Sequence, residues 1–86
     1  MNYKVIDVRE PDEYTSGHVK GAVNIPLGRV MRGASELDDV PKDTDLIVYC
    51  RSGVRADVAA DALRKQGFTE VTNGINQEQV EAKFGL

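Results

Sequence analysis

The sequence predicts an α/β fold in which a small, mainly parallel sheet is flanked by helices. Three observations favour it: short apolar segments alternate with segments of helical periodicity, the links between them are short, and one segment has the pattern of a fully buried strand. That segment is Leu46 to Cys50, an unbroken apolar run. A parallel strand covered by helices on both faces needs such a run.

Four elements are predicted in the first half of the chain. Tyr3 to Val8 is short, apolar and partly β-branched, which is typical of a buried strand. Glu10 to Tyr14 has proline and acidic residues where a helix begins, and Gly17 predicts its end. Ala22 to Pro26 is a second extended segment. The spacing of apolar residues over Leu27 to Leu37 predicts one helix with a buried face made of Val30, Ala34 and Leu37.

The second half continues the alternation. A turn is expected at Pro41 to Asp45, immediately before the Leu46–Cys50 strand. Asp57 to Gln66 predicts a helix that Gly67 ends. Phe68 to Thr72 is expected to be a strand, and Gln77 to Lys83 a closing helix. The helix over Asp57–Gln66 is marked by the apolar residues Val58, Ala59, Ala62 and Leu63. The closing helix is marked by Ile75, Val80 and Phe84.

Composition limits the class of protein. A length of 86 residues predicts one domain over residues 1–86. With 41% hydrophobic and 29% charged residues the chain is expected to fold. A net charge of −3 argues against a broad basic surface for nucleic acid, and no apolar run approaches the roughly 20 residues of a membrane helix. We therefore expect no nucleic-acid partner and no membrane partner, and we take a monomer as the default.

Cysteine and histidine usage narrows the chemistry further. The chain has one cysteine, Cys50, and one histidine, so an internal disulfide and the usual zinc ligand sets are excluded. No metal site is therefore expected. A single cysteine and the lack of a signal sequence favour the cytoplasm, with the periplasm as the alternative if a leader has been removed.

The segment that carries chemistry is Cys50-Arg51-Ser52-Gly53-Val54-Arg55. It follows the most apolar strand and precedes a helix, and open α/β sheets bind ligands at the carboxyl ends of their strands. Gly53 permits a positive φ, so that successive N–H groups can curl around an anion. Arg51 and Arg55 add fixed positive charge. The same features stabilise a thiolate, and Cys50 is therefore predicted to be an ionised nucleophile near neutral pH.

The length of this loop bears on the type of reaction. Four residues separate Cys50 from Arg55, and Ala56 follows. Cysteine-dependent phosphatases use a longer loop that encircles a tetrahedral phosphate. The shorter loop favours one additional sulfur atom on Cys50, and a phosphatase or arsenate-reductase-like activity is the weaker alternative.

Two motifs in the chain resemble the rhodanese (thiosulfate sulfurtransferase) family. The six residues from Cys50 to Arg55 are similar to the active-site loop of that family. A second group is similar to its N-terminal signature in order and spacing: Asp7-Val8-Arg9-Glu10, Glu13-Tyr14, Gly17-His18-Val19 and Gly21 to Pro26. The resemblance covers residues 3 to 74 and implies a small, single-domain member with the rhodanese-like three-layer α/β fold.

The resemblance implies a double-displacement reaction that uses no organic cofactor and no metal. The Cys50 thiolate would take the sulfane sulfur of thiosulfate, forming a persulfide, and pass it to cyanide in assays or to thiols and proteins in cells. The donor would be bound by the rest of the loop: Arg51, Ser52, Gly53, Val54 and Arg55. Ser52 could donate a hydrogen bond to sulfur or only shape the turn, and the sequence is equally compatible with both roles. A persulfide carrier or sulfur-sensing module with little turnover of its own is the alternative function.

The chain also departs from the family pattern. Many members have two glycines and an aromatic residue where this chain has Asn73-Gly74-Ile75-Asn76, so one wall of the pocket is expected to differ. The chain begins close to the Asp7-x-Arg9 motif, which predicts a sheet one strand shorter. Asp7 and Arg9 are expected to pair structurally, and His18 is expected to be architectural.

Overall fold

A computed structural model describes residues 3–86 of the chain. The strands are β1 (Tyr3–Asp7), β2 (Val23–Asn24), β3 (Asp45–Cys50) and β4 (Val71–Asn76). The helices are α1 (Pro11–Ser16), α2 (Leu27–Met31), α3 (Val54–Lys65) and α4 (Gln77–Phe84), with a short 3-10 helix at Ser35–Leu37. The sheet has the strand order β2-β1-β3-β4, and every neighbouring pair is parallel.

Helices cover both faces of this sheet. Leu46, Val48 and Cys50 point into the larger core, which α2 and α3 close. Ile47 and Tyr49 point to the opposite face, where α4 contributes Val80. Because successive residues of a strand point to opposite faces, the unbroken apolar run of β3 is buried on both sides. The predicted α/β fold with a parallel sheet between helical layers is confirmed.

The predicted helix over Leu27–Leu37 is divided into two parts. α2 ends at Met31, and the chain then passes through Gly33 and Ala34, whose φ angles of +114° and +45° are incompatible with a right-handed helix. Val30, Ala34 and Leu37 are nevertheless all buried, as the spacing predicts. The buried face is therefore correct, and the continuous helix is wrong.

α3 begins three residues earlier than the sequence predicts. Gly53 has the left-handed conformation and precedes the first helical residue, Val54, so the end of the Cys50–Arg55 segment forms the first turn of the helix. The predicted apolar stripe is partly wrong, since Val58 is 44% exposed. The residues of α3 that face the core are mostly small: Ala56, Ala59, Ala60 and Leu63. Their size lets the helix lie close to the sheet.

The last strand is displaced toward the C-terminus. Phe68 is buried in the connection before β4 rather than in the strand, and Ile75 belongs to β4 rather than to the closing helix. α4 is found where it is predicted, with Val80 buried and Phe84 stacked on Tyr3 at 4.8 Å between ring centroids. Within residues 3–86 no helix combines the length and apolar character needed to cross a membrane.

Candidate active site

The sulfur of Cys50 lies between the end of β3 and the start of α3. The residue is 3% exposed, and its Sγ accepts hydrogen bonds from two backbone N–H groups. Gly53 N–H donates at 3.1 Å and Ala56 N–H at 3.4 Å. Both groups belong to the N-terminal end of α3, where N–H groups have no partner within the helix and carry partial positive charge.

These contacts decide the ionisation of Cys50. Burial raises the pKa of the thiol, but the N–H groups of Ala56, Ser52, Gly53 and Arg55 lower it, and the net pKa lies below the ordinary value. The charged form is favoured because each donor interacts more strongly with a thiolate than with a thiol. The arrangement can therefore present an anionic sulfur at the carboxyl edge of the sheet.

Gly53 occupies a position that requires glycine. Its φ is +93°, and a Cβ built on it would lie 3.3 Å from Ile75 Cγ2. Its carbonyl accepts hydrogen bonds from Asp57 N–H at 2.9 Å and from Asn73 Nδ2 at 3.0 Å. The turn that directs the Gly53 N–H at sulfur is thus held by α3 on one side and by β4 on the other.

The two loop arginines have different surroundings. Arg51 is exposed. Arg55 is held by Glu13 of α1, with Nη1 donating to Oε1 at 2.7 Å and Nη2 to Oε2 at 3.1 Å. The hydrogen bonds from Arg55, supported by the N–H of Glu10, lower the pKa of Glu13 to about 2, and Glu13 in turn raises the pKa of Arg55. Arg55 is therefore one half of an ion pair, and its guanidinium is held in one orientation.

The remaining loop residues, Ser52 and Val54, lie at the surface. Ser52 is exposed, and its backbone N–H is one of the groups that lower the pKa of Cys50. Val54 is 69% exposed although it is apolar.

A second polar cluster stabilises the neighbouring end of β1. The carboxylate of Asp7 is fully buried and accepts hydrogen bonds from the Arg9 backbone N–H, the Arg9 guanidinium and the Tyr49 hydroxyl. Tyr49 in turn accepts from Val19 N–H at 3.0 Å, and burial raises its pKa to about 12. The expected pairing of Asp7 with Arg9 is present, and together with Tyr49 it stabilises this part of the fold.

His18 lies in this architectural region. Its ring stacks on Tyr14 with 3.7 Å between centroids, and Nδ1 is 2.8 Å from the Tyr14 carbonyl oxygen. Since a carbonyl only accepts hydrogen bonds, Nδ1 carries the proton. The ring is fixed by these contacts within its own segment, in agreement with an architectural role.

Sequence reasoning missed three residues near Cys50: Glu13, Asn73 and Ile75. Glu13 has a local signal, because Glu10 and Glu13 form a reciprocal cap at the start of α1. Its pairing with Arg55 spans 42 positions and has no local signature. For Asn73 and Ile75 the only signal is their replacement of the glycine and aromatic residue of the resembled pattern.

The chain is similar to known proteins over most of its length. The family model described as the rhodanese-like domain matches residues 1–75. The thiosulfate sulfurtransferase PspE of Escherichia coli K12 is 41% identical over 69 residues, which cover 79% of this chain and 64% of PspE. The Bacillus subtilis protein YrkF, named as a candidate sulfur carrier, is 42% identical over 71 residues, which cover 83% of this chain and 37% of YrkF. The chain thus spans less than two thirds of either relative.

Solved structures give the same result. A structure described as rhodanese with anions from E. coli aligns with a TM-score of 0.80 at 35% identity, covering 90% of this chain and 89% of that one. A rhodanese-like domain from Anabaena aligns with a TM-score of 0.79 at 26% identity, covering 96% and 93%. The likeness extends over nearly all of both solved chains.

Proposed function

Because this chain belongs to the rhodanese-like domain family, we propose that it is a sulfurtransferase in which Cys50 carries sulfur from thiosulfate to a thiophilic acceptor. One observation carries the proposal: the Cys50 sulfur accepts N–H hydrogen bonds from Gly53 and Ala56 at the carboxyl end of β3. A cysteine that served only to fill the core would not need donors directed at its sulfur.

In the first half-reaction the Cys50 thiolate attacks the outer sulfur of thiosulfate. A bond forms between Sγ and that sulfur while the sulfur–sulfur bond of thiosulfate breaks, and sulfite leaves with the electron pair. The product is a persulfide anion on Cys50, so atoms and charge balance without an oxidant. The N–H groups that stabilise the thiolate are placed to stabilise the persulfide as well.

In the second half-reaction a nucleophile removes the outer sulfur. Cyanide attacks it, the persulfide bond breaks, thiocyanate leaves, and Cys50 is again a thiolate. A cellular thiol or a protein thiolate reacts in the same way and becomes a persulfide itself. The division of the transfer into two steps is covalent catalysis.

The charges around Cys50 support an anionic donor. Arg51 is exposed and supplies a guanidinium for the sulfonate group. Arg55 supplies N–H groups in a fixed orientation, because Glu13 holds both of its Nη atoms, and Glu13 also balances its charge. We propose that residues 1–86 act as one monomeric domain, with Arg51 to Arg55 as the donor-binding loop, and that the single reduced cysteine acts in the cytoplasm.

A persulfide carrier is the second candidate function. It is supported by the similarity to YrkF and by Val54, whose apolar side chain is 69% exposed within the loop. A carrier would accept sulfur at Cys50 but release it quickly only to a docked protein. Its turnover with small acceptors would then be low.

Steady-state formation of thiocyanate from thiosulfate and cyanide distinguishes the two candidates. For an enzyme we expect many turnovers per chain and none for Cys50→Ser. Rapid release of one sulfite per chain, followed by very slow formation of thiocyanate, would favour the carrier. If the wild type, with Cys50 reduced, released neither sulfite nor thiocyanate, both candidate functions would be contradicted.

A further inference from the structure

A bulge interrupts β4 beside the active-site loop. Val48 of β3 pairs with Asn73 but the next residue, Tyr49, pairs with Ile75, so Gly74 has no partner in the register. Ile75 has a φ of +76°, a conformation that costs a β-branched residue free energy. Gly74 is required here because a Cβ would lie 2.6 Å from Val80 Cγ2 and 2.9 Å from Ile47 Cγ2. Such strain at a bulge is common next to functional sites.

The side chain of Asn73 connects this bulge to the loop. Its Oδ1 accepts a hydrogen bond from Ile75 N–H at 2.9 Å, which stabilises the bulge as an Asx turn. Its Nδ2 donates to the Gly53 carbonyl at 3.0 Å. One carboxamide thus fixes two backbone segments that are 20 positions apart.

Ile75 completes the contact from the apolar side. Its Cγ2 would be 3.3 Å from a Cβ on Gly53, so the strand side chain packs directly over the left-handed turn. Gly53 is the residue whose N–H donates to Cys50 Sγ at 3.1 Å. The orientation of that donor therefore depends on groups of β4 as well as on α3.

We propose that Asn73 is a positioning residue that holds Gly53 so that its N–H points at the sulfur of Cys50. Asn73 acts through Gly53 and makes no contact with the reacting atoms. Ile75, kept in its strained conformation by the same carboxamide, closes the turn from above. The inference rests on the proposed role of Cys50 as the nucleophile, and it assigns the Asn73–Asn76 segment a part in setting the reactivity of the thiolate.

The test compares alkylation of Cys50 by iodoacetamide as a function of pH. In Asn73→Ser the hydroxyl still accepts from Ile75 N–H but is too short to reach Gly53, so the bridge is lost while the turn is kept. The matched control is Asn24→Ala, because Asn24 Nδ2 also bridges two backbone carbonyls, those of Asp7 and Arg9, away from the loop. Thermal unfolding checks that each variant is folded.

We expect the alkylation midpoint of Asn73→Ser to rise by about half a pH unit or more. The rise follows because a misdirected Gly53 N–H weakens roughly one hydrogen bond to the Cys50 thiolate. Asn24→Ala should retain the wild-type midpoint. An unchanged midpoint in Asn73→Ser, or an equal rise in Asn24→Ala, would overturn the proposal. If Asn73→Ser does not fold, Asn73→Thr is the second variant, since its hydroxyl keeps an acceptor for Ile75 N–H and adds no charge, and the same rise in the midpoint is expected.

Alkylation reports on the thiolate without sulfur transfer. A shift in Asn73→Ser supports the positioning role even if the wild type forms no thiocyanate, in which case the proposed function alone fails. Conversely, thiocyanate formation with no shift in Asn73→Ser leaves the proposed function intact and overturns the role of Asn73.

Discussion

The guanidinium of Arg55 is bound by the carboxylate of Glu13 through two hydrogen bonds, of 2.7 and 3.1 Å. The pair joins α1, in the N-terminal motif, to the first turn of α3, in the Cys50 loop. It orients Arg55 and balances its charge. Arg51, which forms no ion pair with any residue between 3 and 86, is then the loop cation with the most charge to offer a donor.

The ion pair predicts a specific dependence of stability on acid. The pKa of Glu13 is lowered to about 2 in the folded chain, chiefly by Arg55, so its stabilisation is complete above the ordinary pKa of 4.5 and is lost as the pH falls toward 2. We expect Glu13→Gln to reduce the free energy of unfolding by about 1 kcal/mol at pH 7, a value discounted because solvent screens the partly exposed pair.

Urea unfolding of the wild type and Glu13→Gln at several pH values measures this effect. The difference between the two proteins should shrink steadily below pH 4.5 and vanish near pH 2. A difference that stays constant over this range would show that Glu13 stabilises the fold by packing rather than by its charge.

Arg51 is expected to set the affinity for an anionic donor. Arg51→Gln should lower kcat/KM for thiosulfate by about threefold to tenfold, mostly through KM, because one charge-assisted contact with the sulfonate is removed. The effect should diminish at high ionic strength. Arg32→Gln, which removes another exposed arginine from the end of α2, is the control and should leave KM unchanged. Equal effects of both substitutions would indicate only a change in net charge.

Gly53 should tolerate alanine less well than another glycine of similar conformation. Gly53 and Gly21 have φ angles of +93° and +84°, and each alanine substitution should cost about 1 kcal/mol for the left-handed conformation. At Gly53 the added Cβ also meets Ile75 Cγ2, whereas at Gly21 nothing lies within 4 Å. We therefore expect Gly53→Ala to lose more stability in denaturant unfolding and to raise the alkylation midpoint of Cys50, and Gly21→Ala to leave that midpoint unchanged. Identical losses of stability would refute the close contact.

The buried hydroxyl of Tyr49 is predicted to be a major source of stability. Tyr49→Phe leaves Val19 N–H without its acceptor and removes one donor from the buried Asp7 carboxylate, which should cost about 1–3 kcal/mol. The control is Tyr14→Phe, since the Tyr14 hydroxyl donates only to the carbonyl of Ala22 at a partly buried site. Denaturant unfolding should rank Tyr49→Phe as clearly the less stable of the two, and the reverse order would contradict the role of this cluster.

Local patterns in the sequence predicted the parts of the fold that depend on local chemistry. The apolar run of β3 identified a strand buried on both faces, and Cys50 at its end identified the loop. The prediction failed where the backbone leaves its usual conformation. Gly33 and Ala34 interrupt a helix that apolar spacing alone predicts, and Gly53 starts α3 earlier because a left-handed residue can precede the first helical turn.

The loop of the candidate site could be located from the sequence, but the contacts that other segments make with it could not. Cys50 and the loop glycine were identified from the chain, since thiol, glycine and arginines occur within six positions. The bond between Glu13 and Arg55 and the bridge from Asn73 to Gly53 join segments that are distant in sequence. Such contacts depend on how the helices and strands pack, and no periodicity or turn signal encodes them.

Sulfur transfer through Cys50 requires that its thiolate take up a second sulfur atom and hold it as a stabilised anion. Intact-mass spectrometry of the protein, after exposure to thiosulfate and removal of the excess, measures this step. We predict that the wild type gains the mass of one sulfur atom, that cyanide removes it, and that Cys50→Ser gains nothing. An unchanged wild-type mass with Cys50 still reduced, or an equal gain in Cys50→Ser, would show that Cys50 does not take sulfur from thiosulfate.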